Sequence, residues 1–340
     1  MTISATWHKA VDAEEILQRS SQVLSVVDGR AYVFGGELRP REPRDNDVHV
    51  LELDKEIKAT LSTKPATSSP SPSPSPRVGS ASTALNGKIY LFSGRGGVAM
   101  TPVEEHGSIW EFDPSSTTWT RIEPAAGTAY PPARSYHCMT NDGLNTLYVH
   151  AGCPEKGRLS DLWAFNLATR EWRELAPAPD PPRGGPSIAF AEGKLYRMNG
   201  FDGKTEQGGS LDVYTPETNA WTSLQYPPDG RAGPAPRSVS ALLAVHITTS
   251  ADGKRKTGLV TLFGERDPSA LGHQGAGKML SDVWLFDLAS QTWHEVDVQG
   301  ESPAARGWFA ADTVDENKIL VQGGLGESNE RIGDAWVLAF

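Results

Sequence analysis

The chain has 340 residues and a formal charge of −10 at pH 7, with 22% of its residues charged. An acidic surface of this kind argues against nucleic-acid binding, which depends on basic patches. The two cysteines, Cys138 and Cys153, fall within one sequence repeat, and no basic segment followed by an apolar run opens the sequence. We therefore expect a protein of a reducing, cytoplasmic compartment that has neither a signal peptide nor a membrane span.

Six short apolar runs, taken in chain order, each end in a glycine site. The runs are residues 32–34, 89–92, 147–150, 195–198, 260–263 and 319–322. The glycine sites that follow them are Gly35-Gly36, Gly94, Gly152, Gly200, Gly264 and Gly323-Gly324. In four repeats a tryptophan comes next, at Trp119, Trp172, Trp221 and Trp293. Glycine followed by tryptophan at a spacing of about 50 residues is typical of kelch repeats, each of which forms one four-stranded propeller blade.

The sequence thus resembles the kelch superfamily over nearly its whole length. The resemblance implies an all-β, six-bladed kelch β-propeller that occupies residues 1–340 as a single domain. One blade cannot bury both faces of its sheet alone, so the blades stack around an axis. The last repeat stops after residues 336–338 without an outermost strand. We expect residues 6–8 to supply that strand and close the ring.

Two segments interrupt the repeat. Residues 62–76 are rich in serine and proline and predict an extended loop between blades one and two. This loop is either a spacer or a regulated docking site for a proline-directed kinase. Residues 248–256 predict a long hairpin between the first two strands of blade five.

An arginine precedes the innermost strand of every repeat. These arginines are Arg19, Arg77, Arg134, Arg183, Arg237 and Arg306. In an antiparallel blade the second strand ends on the face where the first begins, so the arginines share that face with the loops after the glycine sites. The ring has two interpretations: it ties backbone carbonyls of neighbouring blades together, or it binds substrate at the channel mouth. Arg306 is our candidate for substrate binding.

Two further arginines depart from the repeat. Arg95 directly follows Gly94, and Arg158 lies in the matching loop of the next blade, residues 152–158. Two extra cations at a mouth already lined with arginine favour an anionic small molecule. Taken singly, each is also compatible with an ordinary loop arginine.

The loop after Gly264 departs most from the repeat. It carries Glu265, Asp267 and His273 within nine residues. Carboxylates and an imidazole on one loop could form a three-ligand face on a divalent metal, and ferrous iron suits such a set. In the alternative interpretation, Glu265 pairs with a nearby arginine and His273 caps a turn.

These loops, with residues 133–137 and 305–308, resemble the specifier proteins of glucosinolate breakdown, namely the nitrile-specifier, epithiospecifier and thiocyanate-forming proteins. The resemblance implies a kelch propeller that redirects an unstable sulfated thiohydroximate and depends on ferrous iron. It implies an iron triad spaced Glu-x-x-x-Asp-x-x-x-His, which Glu265 and His273 match. Ser269 occupies the middle position, and Asp267 is the nearest carboxylate that could replace it.

The same resemblance assigns roles to residues of other blades. It implies that Arg95 and Arg158 contact the substrate, that Trp308 is the loop tryptophan and that Tyr136 forms an aromatic wall. The predicted protein is a lyase or rearrangement enzyme in which Arg95 and Arg158 hold a sulfate-like group beside this wall. Iron on the triad would bind sulfur or polarise the leaving group, without a protein nucleophile.

Two alternatives remain open at this point. One keeps the pocket and its anionic substrate but lacks the metal, as in an enzyme recruited to another step of specialised metabolism. The other is a non-enzymatic scaffold with a protein partner, since fold alone does not define function.

Overall fold

The computed structural model describes residues 3–66, 72–248 and 255–340. Within these ranges the chain forms β-strands and two short 3₁₀ helices, Glu15–Leu17 and Gly272–Gln274, and no α-helix. No helix of the described residues has the length and apolar character needed to span a membrane. The predicted all-β class is confirmed.

The strands are numbered along the chain. The first is β1 (Ile3–Val11), and blade one follows with β2 (Ser20–Val27), β3 (Arg30–Arg39), β4 (Glu42–Pro43), β5 (Val48–Leu53) and β6 (Ala59–Lys64). Blade two has β7 (Arg77–Val78), β8 (Ala81–Leu85), β9 (Lys88–Phe92), β10 (Arg95–Gly96), β11 (Thr101–Pro102), β12 (Ile109–Asp113) and β13 (Thr118–Ile122). Blade three has β14 (Cys138–Asn141), β15 (Thr146–Gly152), β16 (Leu159–Asn166) and β17 (Glu171–Leu175).

The second half of the chain repeats this pattern. Blade four has β18 (Ser187–Ala191), β19 (Lys194–Met198), β20 (Ser210–Thr215) and β21 (Ala220–Gln225). Blade five has β22 (Ala241–Thr248), β23 (Arg255–Leu262), β24 (Glu265–Arg266), β25 (Lys278–Met279), β26 (Val283–Asp287) and β27 (Thr292–Gln299). Blade six has β28 (Ala310–Asp315), β29 (Lys318–Gln322) and β30 (Ala335–Ala339). The described chain therefore forms the six-bladed propeller that the sequence predicts.

The N-terminal strand closes the ring. Strand β1 pairs antiparallel with β30 and so becomes the outermost strand of blade six, with Trp7 opposite Leu338. Trp7 occupies the place that Trp293 has opposite Phe286 in blade five. The start of β1 also runs parallel to the end of β27, a pairing that the sequence did not predict. The N-terminus therefore joins blades five and six as well as completing the last blade.

The two irregular segments lie largely where they were expected. The outermost strand of blade one continues through Lys64, so the serine- and proline-rich loop begins after this residue and not at residue 62. Residues 67–71 of that loop lie outside the described residues. Strands β22 and β23 pair from Ala241 to Thr248 as the predicted hairpin, whose tip at residues 249–254 is likewise outside them.

The second strand of each blade is apolar on both faces because a neighbouring blade covers each face. In β29, Ile319, Leu320 and Val321 are all fully buried. Ile319 and Val321 pack against blade five, whereas Leu320 packs against blade one. Burying each such side chain contributes roughly 1.5–3 kcal/mol to folding. This explains why the runs before the glycine sites are continuous rather than alternating in polarity.

The ring arginines tie each blade together internally. All six are buried, with at most 4% of their surface exposed. Arg134 is representative: Nε donates to the Pro132 carbonyl, Nη1 donates to the Ala151 carbonyl, and both Nη atoms donate to Asp161 at 2.7 and 2.8 Å. The indole of Trp163 donates to the same carboxylate. One guanidinium thus links the start of strand one, the end of strand two and the start of strand three.

Most blades repeat this arrangement. The other arginine–carboxylate pairs are Arg19–Asp45, Arg77–Glu105, Arg237–Asp282 and Arg306–Asp334. In blade four Arg183 donates only to the carbonyls of Pro181 and Asn199 among the described residues. Burial and the charge of Arg197 lower the pKa of Arg183 to about 9. The structural interpretation of the ring therefore accounts for its contacts.

A closed circle of backbone hydrogen bonds joins the blades to one another. Each member lies two residues after a ring arginine, and its N–H donates to the carbonyl of its counterpart in the preceding blade. The members are Ser21, Gly79, Tyr136, Gly185, Val239 and Trp308, with donor–acceptor distances of 2.7–3.1 Å. All six have a positive φ, between 47° and 61°. We call this circle the backbone ring.

The glycine sites allow the blades to approach closely. The Gly152 N–H donates to the carbonyl of Arg183 in the next blade at 3.0 Å. Gly152 has φ of 97°, and a Cβ there would lie 2.8 Å from the Ser135 carbonyl oxygen. Only glycine tolerates both the conformation and the contact. The same bond recurs at Gly94, Gly200, Gly264 and Gly324.

Closure by β1 predicts different effects for two neighbouring substitutions. Trp7 is 5% exposed and stacks on Phe263 of blade five with ring centroids 5.7 Å apart, whereas His8 is exposed. We expect Trp7→Ala to lower the free energy of unfolding by about 3–5 kcal/mol, because it opens a cavity between two blades. His8→Ala should change it by less than about 0.5 kcal/mol. Chemical denaturation of both variants measures the difference, and equal stabilities would contradict closure by this strand.

Candidate functional site

A cavity of about 470 Å³ lies on the face of the propeller where the glycine sites are. Residues from all six blades line it. Because the blades repeat one backbone arrangement, equivalent positions meet at the cavity. Its shape is set by the fold, and its chemistry is set by the side chains that occupy those positions.

The wall of the cavity is formed by the residue that directly follows each glycine site. These six residues are Glu37, Arg95, Cys153, Phe201, Glu265 and Leu325, and all of them line the cavity. Each pairs across a β-bridge with the residue that follows the ring arginine of its own blade. The ring arginine is next to one residue of this bridge, and its guanidinium bonds to the end of the strand that leads to the other. It therefore fixes the position of each wall residue.

The floor of the cavity is built on the backbone ring. Tyr136 of blade three and Trp308 of blade six lie across the axis from one another, and their rings meet edge to face with centroids 5.1 Å apart. The Tyr136 hydroxyl bonds to Ser21, and burial raises the pKa of this phenol. A Cβ at Gly79 would lie 2.9 Å from the Tyr136 ring, so glycine at this position leaves room for it. The two predicted aromatic residues are thus brought together as an apolar floor.

Arg95 is held by the loop of the next blade. Nε donates to the Ser135 hydroxyl, Nη1 to the Met100 carbonyl and Nη2 to the Pro154 carbonyl. Each of these acceptors is neutral. Arg95 therefore has a fixed position at the wall while keeping its positive charge uncompensated by an ion pair within the described residues.

Arg158 reaches from blade three onto blade four. Its guanidinium lies over the Phe201 ring, 5.0 Å from the centroid, and packs against Gly203, where a Cβ would be 2.5 Å from Nη1. Nε is buried without a hydrogen-bond partner in the described part of the chain. Cys153 lies between the two arginines, and burial raises the pKa of its thiol while the charges of Arg158 and Arg95 oppose that rise.

Carboxylates lie on the other side of the cavity. Glu265 is 6% exposed; its Oε1 accepts the Gly277 N–H at 2.6 Å, and the Trp308 side chain also bonds to it. Burial raises the pKa of Glu265. Glu206 of blade four also lines the cavity. Arg331 and Glu37 also line the cavity, where they form a buried ion pair at 2.8 Å that carries no net charge.

The predicted iron ligands are not all brought to the cavity. Glu265 lines it, as does Ser269, which stands where the resemblance implies an aspartate. The side chain of Asp267 is 74% exposed and pairs with Arg266 at 3.3 Å. His273 belongs to the second 3₁₀ helix, but its side chain lies outside the described part of the structure. The described side chains include no group of three that could hold a metal ion.

Arg306 has a structural position, which corrects its assignment to substrate binding. It is 0% exposed, and its guanidinium donates to the carbonyls of Ala304 and Gly323 and to Asp334. It is not among the residues that line the cavity. Arg306 has no exposed surface and its charge is already paired with Asp334, so it offers no contact to a substrate in the cavity.

Sequence reasoning missed several wall residues. It singled out Arg95 and Glu265 because their charge departs from the repeat, but it did not identify Cys153, Phe201 or Leu325. Aligning the six glycine sites and taking the next residue of each would have found all of them. Glu206 gave no such signal, because it comes from an irregular loop.

The sequence matches the KLHDC2/KLHL20/DRC7 Kelch-repeats domain over residues 21–251. The chain therefore belongs to the kelch-repeat family, in agreement with its propeller fold. The expected kelch architecture is confirmed by the match and by the strand order.

Three relatives match most of the chain. The N-(sulfonatooxy)prop-2-enimidothioate sulfolyase of Thlaspi arvense is 29% identical, over 94% of this chain and 92% of the relative. Adagio-like protein 3 of Oryza sativa subsp. japonica is 27% identical, over 98% of this chain but 50% of the relative. The acyl-CoA-binding domain-containing protein 5 of Arabidopsis thaliana is 24% identical, over 85% of this chain and 42% of the relative. The chain is thus homologous to a sulfolyase over nearly the full length of both proteins, but spans half or less of the other two.

Proposed function

We propose that this protein is a specifier-like lyase or rearrangement enzyme that acts on a small, sulfated thiohydroximate-type anion in the cavity. The observation that carries the proposal is the pair formed by Arg95 and Arg158. Both line the cavity, and neither takes part in an ion pair within the described residues. The ring arginines of five blades, in contrast, each pair with a carboxylate of their own blade. The charge of Arg158 contributes to lowering the pKa of Asp202 without forming an ion pair with it, so an anionic ligand would be the direct counterion of both arginines.

The fixed position of these two charges suits a reaction in which sulfate leaves. Negative charge accumulates on the leaving oxygen as its bond to nitrogen breaks, and guanidinium donors that are already in place stabilise that charge. Arg95 is held by three acceptors and Arg158 is held by the Phe201 face and Gly203, so little reorganisation is needed. Tyr136 and Trp308 would contact the apolar part of the substrate at the floor. No protein nucleophile is required by this scheme.

Removing either cation should therefore reduce turnover. We expect Arg95→Ala and Arg158→Ala each to lower kcat/KM by on the order of 100-fold, the effect of losing one positioned donor. Arg173→Ala is the matched control, because Arg173 is exposed on the outermost strand of blade three. The assay follows the products formed from N-(sulfonatooxy)prop-2-enimidothioate generated in the reaction mixture, with circular dichroism to verify folding. Unchanged turnover in both folded variants would overturn the proposed role.

Ferrous iron remains a prediction for this site. The described residues fit it only in part, since Glu265 lines the cavity but Asp267 is directed to solvent and paired with Arg266. Iron held here would supply Lewis-acid chemistry at sulfur or at the leaving group.

Anaerobic calorimetry tests the iron prediction directly. If Glu265, Asp267 and His273 hold iron, wild-type protein should bind Fe²⁺ with micromolar affinity, and Glu265→Ala and His273→Ala should each abolish that binding. Glu217→Ala is a suitable control, because this glutamate is exposed on blade four. Binding that survives in both ligand variants, or no binding by the wild type, would remove iron from the site.

A protein-interaction scaffold is the second candidate. It is favoured by the two relatives in which the matching region is half or less of a longer protein. The arginine variants distinguish the candidates, because a scaffold would keep its partner when the cavity loses its cations.

A further inference from the structure

The partly or fully buried charges that line the cavity differ from blade to blade, and two exposed charges, Arg41 of blade one and Glu155 of blade three, also line it. The unpaired cations Arg95 and Arg158 come from blades two and three, and the carboxylates Glu206 and Glu265 come from blades four and five. Blades six and one contribute the Glu37–Arg331 pair, which has no net charge. In a closed ring of six, blade five lies across the axis from blade two. Arg95 therefore faces Glu265 across the cavity, whereas the guanidinium of Arg158 packs on Phe201 of blade four, the blade that also carries Glu206.

The two carboxylates differ in what they offer a ligand. Glu265 is 94% buried, and donors from Gly277 and Trp308 already bond to it. Glu206 is only half-buried and lies next to Phe201, with which it forms a β-bridge. Its Oε1 is buried and has no hydrogen-bond partner in the described part of the chain. Of the two carboxylates, Glu206 therefore has an oxygen, Oε1, that can still accept a hydrogen bond from a ligand.

Two other carboxylates, Glu265 and Asp267, lie close enough to Glu206 to act on its charge. Burial, together with the charges of Glu265 and Asp267, raises the pKa of Glu206, so its repulsion of an anion is present above that raised pKa and is lost as the pH falls through it. A second negative charge at this wall would meet two carboxylates in a partly desolvated cavity, where like charges repel more strongly than in water.

We infer that Glu206 is a specificity-determining residue that fixes the orientation of the ligand and restricts the cavity to anions charged at one end only. The anionic group would lie at Arg95 and Arg158, and the other end, neutral or a hydrogen-bond donor, would lie at Glu206. A ligand with a negative charge at each end is rejected, because one of them must face the carboxylates. The inference rests on the proposed function, since it takes the arginine pair as the anion site.

Two probes of equal length test this specificity: pentyl sulfate, charged at one end, and pentane-1,5-diyl disulfate, charged at both. Calorimetry in metal-free buffer with a chelator gives both dissociation constants for the wild type. We expect pentyl sulfate to bind at least about tenfold more tightly than the disulfate. Glu206→Gln should improve disulfate binding by about tenfold and leave pentyl sulfate within about twofold. Glu217→Gln, an exposed glutamate of the same blade, should change neither.

The outcomes separate this inference from the proposed function. If pentyl sulfate binds through Arg95 and Arg158 but the wild type does not discriminate against the disulfate, the role of Glu206 is wrong and the anion site stands. The same holds if Glu206→Gln changes the affinity for both probes equally. If pentyl sulfate binds equally well to Arg95→Ala and Arg158→Ala, the anion site itself is wrong. Failure of both probes to bind the wild type would overturn both proposals.

Discussion

A buried guanidinium at the entrance to every blade is the interaction on which the rest of the molecule depends. It bonds to the end of strand two, and in five blades also to a carboxylate at or just before the start of strand three. Breaking such a buried pair by removing one partner typically costs 3–5 kcal/mol, because a charge is left uncompensated. The loops that follow the glycine sites are therefore anchored at both ends. This is what allows them to present side chains at fixed positions.

The backbone ring joins neighbouring blades, and the ring arginines link the strands within each blade. Both are made largely by backbone groups and by one side chain per blade, so neither requires a particular side chain after the glycine site. The chain uses that freedom to place an acid, a base, a thiol, an aromatic and an aliphatic residue around one cavity. Function in this propeller is a property of those positions and not of the fold itself. Homology to a sulfolyase and to regions of two longer proteins is consistent with this separation.

Most of the fold could be predicted from the sequence, because each blade obeys the same local rules. The continuous apolar runs identify the second strands, and the missing outermost strand of the last repeat identifies the role of Trp7. The parallel pairing of β1 with β27 could not be predicted, since it depends on how two blades meet in space. The candidate site was predictable only where a residue breaks the repeat in charge, as Arg95 does. Arg306 shows the limit, because a structural arginine and a binding arginine look alike until their partners are known.

The blade-five loop was the least predictable part of the site. Its residues follow no repeat, so sequence spacing alone indicated which side chains could meet. The structure directs Asp267 to solvent and brings Glu206 of the neighbouring blade to the cavity instead. Contacts between irregular loops of adjacent blades are set by packing, and neither the apolar period nor the glycine spacing encodes them.

A crystal structure of the protein with pentyl sulfate bound tests most directly whether Arg95 and Arg158 form the anion site. The anomalous signal of sulfur would locate the sulfate. We expect a sulfate within hydrogen-bond distance of both Arg95 and Arg158, with the alkyl chain over Tyr136 and Trp308. A sulfate bound at Glu206 and Glu265, or outside the cavity altogether, would contradict this expectation.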